Sequence, residues 1–325
     1  MFAQRHNTEL SPAALAQAVT HGVYCSLEQL MALRWQAQHL ALPKARRVSR
    51  PQSGMHHSRF RGRGMEFNEV RVYQPGDDVR SIDWRVTARR QAPHTRLYNE
   101  ERERPVMILC DQSRSQFFGS HKAFKSVRAA QAAALFAWTA LAHNDRVGGI
   151  VFSEQGHSET RPGRSRKSLL RLLHNIVTAN QALSAEFNAE AKQALSLNGA
   201  LTETLRIVKP GTLIVLISDF VQCDDETEAL VAKLSRHNEC LMVQTCDALE
   251  GQLPPPGRYP VSNGNDTLFF DARQKASRTR YEEWFRIREQ RLYDLAIKYR
   301  CTHLRLSTDQ EPGQSLQSML ISMGR

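Results

Sequence analysis

The chain has 325 residues, of which 41% are hydrophobic and 24% charged, a balance that argues against disorder and for a globular protein with a sizeable core. The formal net charge of +11 brings nucleic acids and anionic membranes into consideration as partners. The six scattered cysteines form no Cys-x-x-Cys pair, which argues against a disulfide framework and a cysteine-based zinc site.

The sequence indicates a cytoplasmic protein. The N-terminus has no basic segment followed by an apolar one, so no signal peptide is predicted. The most apolar stretch, Ala129–Ala142, is too short to span a bilayer and contains polar residues. We therefore expect a soluble, cytoplasmic protein with reduced thiols.

Three segments are predicted before residue 105. Residues 1–42 form a helical segment, because Ser26 and Gln29 have capping-box spacing ahead of an apolar stripe. Residues 43–64 form a basic linker or loop, with lysine and arginine from Lys44 to Arg63 and no acidic residue. Residues 65–104 form a β-rich region. Its predicted strands are Glu66–Tyr73, Ser81–Arg89 and Thr95–Asn99.

From residue 105 to 325, apolar runs alternate with helical patterns. Val106–Cys110 and Thr212–Ser218 are strongly apolar, which predicts strands covered on both faces. Further strands are predicted at 147–152, 240–245, 267–270 and 302–306, and helices at 121–143, 165–177, 189–208, 224–237, 276–299 and 313–323. This alternation predicts an α/β domain with a doubly wound, mainly parallel sheet, preceded by the helical and β-rich extension.

Two carboxylates follow the most apolar strands. Asp111 comes directly after the strand 106–110, and Asp219 after the strand 212–218. Because ligands of open α/β sheets bind outside the carboxyl ends of the strands, we expect the two loops to meet at one edge. Ser113 and Ser115 add hydroxyl oxygens, so the set suits Mg²⁺ or Mn²⁺. The alternative is that Asp111 and Ser113 only cap the following turn.

This arrangement resembles the metal-ion-dependent adhesion site of von Willebrand factor type A domains. The first loop of that family carries Asp-x-Ser-x-Ser, matched here by Asp111, Ser113 and Ser115, and a later strand ends in an aspartate, matched by Asp219. The resemblance implies a divalent ion whose open coordination position accepts a carboxylate from a partner protein.

One feature of that family is missing from this sequence. A threonine from an intervening loop normally completes the ligand set, and the matching position falls near Asn198-Gly199. Thr202 and Thr204 are predicted to lie inside the following helix instead. This departure favours an alternative in which the same sheet edge is an interaction surface without metal.

A longer motif lies upstream of the first strand. It runs from Gly64-Met65-Glu66-Phe67 to Thr87-Ala88-Arg89, and its distinctive positions are Arg71, Tyr73, Gly76, Asp77, Asp78, Arg80, Asp83, Trp84, Thr87 and Arg89. The chain thereby resembles the bacterial family catalogued as "domain of unknown function 58", over about residues 50 to 325. The resemblance implies as partners a MoxR-type AAA+ ATPase and another von Willebrand A-type protein.

The motif itself has a structural and a catalytic interpretation. Asp77, Asp78 and Asp83 stand among arginines, and Arg–carboxylate pairs would pin this region onto the α/β domain. Trp84 would add a large buried anchor. The alternative, a catalytic acidic cluster, is disfavoured because each aspartate has an arginine nearby.

The function expected from these features is that of a non-enzymatic adaptor for the ATPase, with or without a metal ion. Two further hypotheses stay open. The basic segment Lys44–Arg63 would serve a nucleic-acid binder, although Phe60 is its only aromatic residue for base stacking. A metal-dependent hydrolase would need a general base, for which His143 and Asp145 are the nearest options.

Overall fold

A computed structural model of the chain describes residues 22–43, 65–77, 79–100, 104–183, 194–251, 253, 255–262 and 267–323. The basic segment Lys44–Arg63 and Asp78 lie outside these residues. The chain divides into two compact units, a smaller one of residues 47–103 and a larger one of residues 1–46 and 104–325.

The strands and helices are as follows. The strands are β1 (Met65–Val72), β2 (His94–Glu100), β3 (Pro105–Asp111), β4 (Arg146–Ser153), β5 (Gly156–Gly163), β6 (Leu213–Ser218), β7 (Glu239–Cys246), β8 (Arg258–Ser262), β9 (Thr267–Asp271) and β10 (Thr302–Ser307). The helices are α1 (Leu27–Ala32), α2 (Arg34–Ala37), α3 (Trp84–Arg90), α4 (Lys125–Ala142), α5 (Arg166–Ala182), α6 (Leu197–Ile207), α7 (Asp225–Ser235), α8 (Ala248–Gly251), α9 (Lys275–Lys298) and α10 (Pro312–Met323).

A six-stranded sheet forms the centre of the larger unit. Its strand order is β10-β7-β6-β3-β4-β5. All neighbouring strands are parallel except β4 and β5, which form an antiparallel pair at one edge. The predicted mixed α/β domain with a mainly parallel sheet and flanking helices is therefore confirmed. The strand β5 was not predicted, because its residues alternate only weakly in polarity.

The two faces of this sheet carry separate hydrophobic clusters. Val106, Ile108 and Cys110 of β3 belong to a cluster that includes α4 and α5, whereas Met107 and Leu109 belong to one that includes α6 and α7. Successive side chains of a strand point to opposite faces, so a strand covered on both faces is apolar throughout. This is why β3 appears in the sequence as an uninterrupted apolar run.

The N-terminal helices pack on the first of these faces. Ser26 and Gln29 form the predicted capping box at the start of α1. The indole nitrogen of Trp138 in α4 donates to the carbonyl oxygen of Leu30 at 3.0 Å, and the Thr139 hydroxyl donates to that of Ala37 at 3.1 Å. These buried hydrogen bonds attach α1 and α2 to the most buried helix of the unit.

The smaller unit corrects one prediction. Residues 65–72 and 94–100 do form strands, and these pair antiparallel, but the predicted strand Ser81–Arg89 is wrong. A 3-10 turn at Val79–Ser81 and the helix α3 occupy that segment. The Asp83 carboxylate accepts hydrogen bonds from the backbone nitrogens of Arg85 and Val86 and so caps the helix.

Two smaller features complete the fold. The predicted strand at 267–270 exists, but it pairs with β8 in a hairpin outside the central sheet. Within the described part of the chain, no helix is both long and apolar enough to cross a membrane.

The close packing of β3, β4 and α5 is testable at Gly149. A methyl group there would lie 2.5 Å from the carbonyl oxygen of Ile108 and 2.8 Å from the side chain of Leu172. We expect Gly149→Ala to lower the free energy of unfolding by about 1–3 kcal/mol, measured by urea denaturation. Gly251→Ala is the control, because its methyl group would meet only the Phe285 ring at 3.4 Å. Equal stability of the two variants would contradict this packing.

Candidate functional site

The order of the strands places a crevice between β3 and β6. From β3 the chain continues to β4 on one side, whereas β6, on the other side of β3, is followed by β7 and β10. Such a reversal of strand order is where ligands bind in open α/β sheets. Asp111 is the last residue of β3 and Asp219 directly follows β6, so both predicted carboxylates flank this crevice.

Asp111 is buried and held by the loop that follows it. One carboxylate oxygen accepts from the backbone nitrogen of Ser113 at 2.8 Å, and the other accepts from the hydroxyl of Ser218 at the end of β6. The hydroxyl oxygens of Ser113 and Ser115 are hydrogen-bonded to each other at 3.0 Å. Burial, together with the charge of Asp219, raises the pKa of Asp111 to about 6.

Asp219 lies in a tight turn and is paired with a lysine. Its Oδ1 accepts from the backbone nitrogen of Val221 at 3.1 Å, and its Oδ2 accepts from Lys125 Nζ at 2.9 Å. Phe220, between them, has a φ of 55°, a conformation that non-glycine residues rarely adopt. The Lys125 ammonium also donates to a Glu250 carboxylate oxygen.

Lys125 is a residue of the site that the sequence patterns did not predict. Its side chain is 2% exposed. Burial alone would lower the pKa of this lysine, but the carboxylates of Asp219 and Glu250 outweigh burial and raise it, so the ammonium stays charged. One signal could have revealed it. Lys125 is the first residue of α4, where the helix dipole disfavours a positive charge unless acidic groups lie nearby.

Two more acidic residues end strands at the same edge. Glu154, directly after β4, accepts from the Arg114 backbone nitrogen with both carboxylate oxygens. Asp247, directly after β7, accepts from the backbone nitrogen and hydroxyl of Ser120. Burial would raise the pKa of Asp247, but hydrogen bonds from Ser120 and Thr308 lower it. Carboxylates therefore fasten the first loop to the end of β4, on one side of β3, and to the end of β7, two strands away on the other side.

Beneath this edge, a buried chain of amides fixes the loop after β3. The Gln112 side chain donates to the Ser126 carbonyl oxygen at 3.0 Å and accepts from the Asn180 amide at 3.0 Å. The Asn180 side-chain oxygen in turn accepts from the Cys25 backbone nitrogen at 2.8 Å. The loop is therefore attached to α4, to α5 and to the N-terminal segment.

Thr202 and Thr204 lie inside α6, as predicted, and the third-loop position Asn198-Gly199 also lies in this helix, in its first turn. Thr202 and Thr204 donate to backbone carbonyls one turn earlier in α6, those of Asn198 and Ala200. The Asn198 side chain donates to Asp224, the cap residue of α7. None of these three side chains has a hydrogen bond to the Asp111 loop.

The four predicted ligands do not fit a divalent ion as one set. Asp111, Ser113 and Ser115 are gathered as the resemblance implies. Both oxygens of Asp219 are engaged, however, and one of them holds the Lys125 ammonium. A fixed positive charge on one ligand repels a second cation there. Within the described residues, no cluster of three or more His, Cys, Asp or Glu has the arrangement of a metal site.

The upstream motif lies in the smaller unit, where several of its residues have structural contacts. The Arg71 guanidinium donates to Asp77 at 2.7 Å, and Asp83 caps α3. Gly76 has a φ of 108° in the turn, and the Thr87 hydroxyl accepts from the His94 backbone nitrogen at 3.0 Å.

Other motif residues face solvent. Trp84 is 67% exposed, so the prediction that it is a buried anchor is wrong. Arg80 and Arg89 are exposed as well, and Tyr73 is half-buried, with its backbone nitrogen donating to Pro93. Trp84 is the first residue of α3.

The residues considered as a general base lie elsewhere. His143 and Asp145 precede β4 and are therefore at the amino-end edge of the sheet, opposite Asp111. The Asp145 carboxylate accepts from the Arg104 backbone nitrogen at 2.9 Å, and a ring nitrogen of His143 contacts the Thr139 carbonyl oxygen at 2.8 Å. Both residues therefore have structural partners at the turn before β4.

Residues 69–291 match the family described as "Protein of unknown function DUF58". The chain belongs to this family. It is 31% identical over 204 residues to uncharacterized proteins of Mycobacterium bovis and Mycobacterium tuberculosis. The matched segment is 63% of this chain, and it spans 62% of the length of those relatives.

Two solved structures are similar to this DUF58 chain. One is a conserved hypothetical protein BatB from Bacteroides thetaiotaomicron, at 14% identity and a TM-score of 0.38. The other is an aerotolerance-related membrane protein from Bacteroides fragilis, at 15% identity and a TM-score of 0.37. Each similarity covers 67% of this chain and 98% of the other chain.

The raised pKa of Asp111 predicts a pH dependence of stability. The native carboxyl keeps its proton up to about pH 6, whereas the ordinary value of 3.8 applies to the unfolded chain. The native state therefore binds more protons between these values, so this contribution to stability is lost as the pH rises through about 6. From pH 4 to pH 7, we expect Asp111→Asn to gain about 2–3 kcal/mol in unfolding free energy relative to wild type.

Urea denaturation at pH 4, 5, 6 and 7 measures this difference. Asp225→Asn is the control, because it removes a carboxylate whose side chain is 99% exposed. Its pH profile should follow that of the wild type. Parallel profiles of Asp111→Asn and wild type would show that Asp111 does not hold its proton in the native state.

Proposed function

We propose that this DUF58 protein is a non-enzymatic interaction protein, and that it binds its partner at the carboxyl-end edge of the central sheet. The feature that supports this most directly is a set of three exposed apolar side chains on the segments that follow β3, β6 and β7. They are Phe118, Val221 and Leu249, exposed to 42%, 39% and 42% respectively. Apolar side chains presented on neighbouring loops are a common feature of protein interfaces.

Hydrogen bonds fix the backbone of each of these three segments. The Phe118 carbonyl oxygen accepts from the Lys125 backbone nitrogen at 2.8 Å. The backbone nitrogen of Val221 donates to Asp219 and that of Leu249 to Asp247. The apolar side chains are thus held in place before any partner arrives, which lowers the entropic cost of binding.

The partner that we propose is a MoxR-type AAA+ ATPase. This proposal comes from two resemblances. The upstream motif resembles the DUF58 family, which implies a MoxR-type ATPase as partner, and the Asp111 loop resembles that of von Willebrand A-type domains. The edge offers such a partner these apolar side chains and also acidic groups, because Glu154 follows β4 and Asp225 begins the helix after β6. We further propose the metal-free form of the interaction, because Lys125 already pairs with Asp219.

Binding of a purified MoxR-type ATPase from the same organism tests the surface. We expect the triple variant Phe118→Ser, Val221→Ser, Leu249→Ser to weaken binding by at least about tenfold, because each change removes apolar contact area. The control is Ile297→Ser with Ile321→Ser, two apolar residues on other helices that are more exposed, at 59% and 52%. Calorimetry measures the affinities, and thermal melting verifies the fold of each variant.

Equal binding by the triple variant and the control variant would contradict the proposed surface. The same titration with magnesium, and then with a chelator, separates the two forms of the proposal. Unchanged affinity supports the metal-free form. Binding that requires magnesium and is lost in Asp111→Ala would support a metal-bridged contact instead.

A further inference from the structure

We infer that Lys125 supplies from within the chain the positive charge that a divalent cation would otherwise supply beside Asp219, at the end of β6. The inference concerns the cation chemistry of this edge, and it stands whether or not the edge binds an ATPase. It rests on the contacts, the burial and the attachment of this one side chain.

The first argument is the place of the ammonium group. Lys125 Nζ lies 2.9 Å from Asp219 Oδ2 and also donates to a Glu250 oxygen. Asp219 is the carboxylate that the adhesion-site pattern assigns to the metal. The lysine therefore occupies the coordination sphere of a predicted ligand rather than a peripheral position.

The second argument is charge. Asp111 and Asp219 are buried at the ends of neighbouring strands, and the negative charge of Asp219 disfavours the ionisation of Asp111. An arrangement of this kind needs a nearby positive charge to stay ionised. Lys125 is paired with Asp219, and its side-chain exposure is only 2% against 3% for Asp219. A divalent ion added to this pair would be placed beside an ammonium that screening by water does not reach.

The third argument is that the ammonium cannot withdraw easily. Lys125 is the first residue of α4, a helix whose residues are buried along most of its length. Its backbone nitrogen is fixed by the Phe118 carbonyl oxygen at 2.8 Å. Moving the side chain into water would leave Asp219 without its charged partner, at a cost in stability. The lysine is therefore a permanent part of the site, unlike an ion that exchanges with solvent.

Two departures from the adhesion-site pattern both act against a divalent ion. The sequence lacks the threonine at the third-loop position, where the Asn198 side chain donates to Asp224 and its amide oxygen accepts from Thr227. It also carries an additional positive charge at the position of the second aspartate. Fewer oxygen donors and an internal cation both act against binding of Mg²⁺ or Mn²⁺.

Titration of the full-length protein with Mn²⁺ at pH 7.5 tests the inference, with calorimetry and the paramagnetic resonance of free Mn²⁺ as readouts. We expect no saturable site in the wild type at millimolar Mn²⁺. Lys125→Met keeps most of the side-chain volume and removes the charge, and we expect it to bind one Mn²⁺ at least about tenfold more tightly. The control is Lys122→Met, because Lys122 is an exposed lysine three residues earlier, and it should behave as the wild type.

Saturable Mn²⁺ binding by the wild type, as tight as that of Lys125→Met, would overturn the inference. So would a folded Lys125→Met protein that binds no more Mn²⁺ than the wild type. If Lys125→Met does not fold, the double variant Lys125→Met, Asp219→Asn decides the question. Recovery of the fold in the double variant supports charge compensation by Lys125, and failure to recover overturns it.

Discussion

The buried ion pair between Lys125 and Asp219 joins the first residue of α4 to the end of the central strand β6. Removing two charges from water costs several kcal/mol for each, and the pair regains this only with good geometry and further hydrogen bonds. Both conditions are met here, because Val221 donates to the aspartate and Glu250 accepts from the lysine. The backbone of three loops is thereby fixed at one edge of the sheet, which orders the surface above it.

The same pair explains why a lysine begins an otherwise apolar helix. The helix α4 packs into the core along nearly its whole length, and its many alanines allow it to lie close to the sheet. A buried helix start with a positive charge is unfavourable by itself. It is tolerated because Asp219, after β6, and Glu250, after β7, accept hydrogen bonds from the lysine.

Much of the fold followed from local patterns, whereas the cation of the site did not. The apolar runs at 106–110 and 212–218 are buried strands, and the rule for parallel sheets brought Asp111 and Asp219 together. Lys125 lies 94 residues from Asp219 and 125 from Glu250, so no local spacing reveals the contact. Residues 81–89 alternate in polarity as a strand would, but the cap at Asp83 favours a helix, and the exposed Trp84 shows that the alternation marks no buried face.

An Asp-x-Ser-x-Ser loop therefore fixes where a cation is needed without fixing which cation it is. The loop specifies oxygen atoms at the end of one strand, and this part of the arrangement is local. The net charge at this edge depends on the side chains that the neighbouring strand and the next helix place beside the loop. Here Asn198 contributes no oxygen to the Asp111 loop, and α4 contributes an ammonium. Both changes act against the binding of a divalent ion. A chain can therefore keep the geometry of the Asp111 loop while an ammonium that belongs to the chain replaces an exchangeable ion.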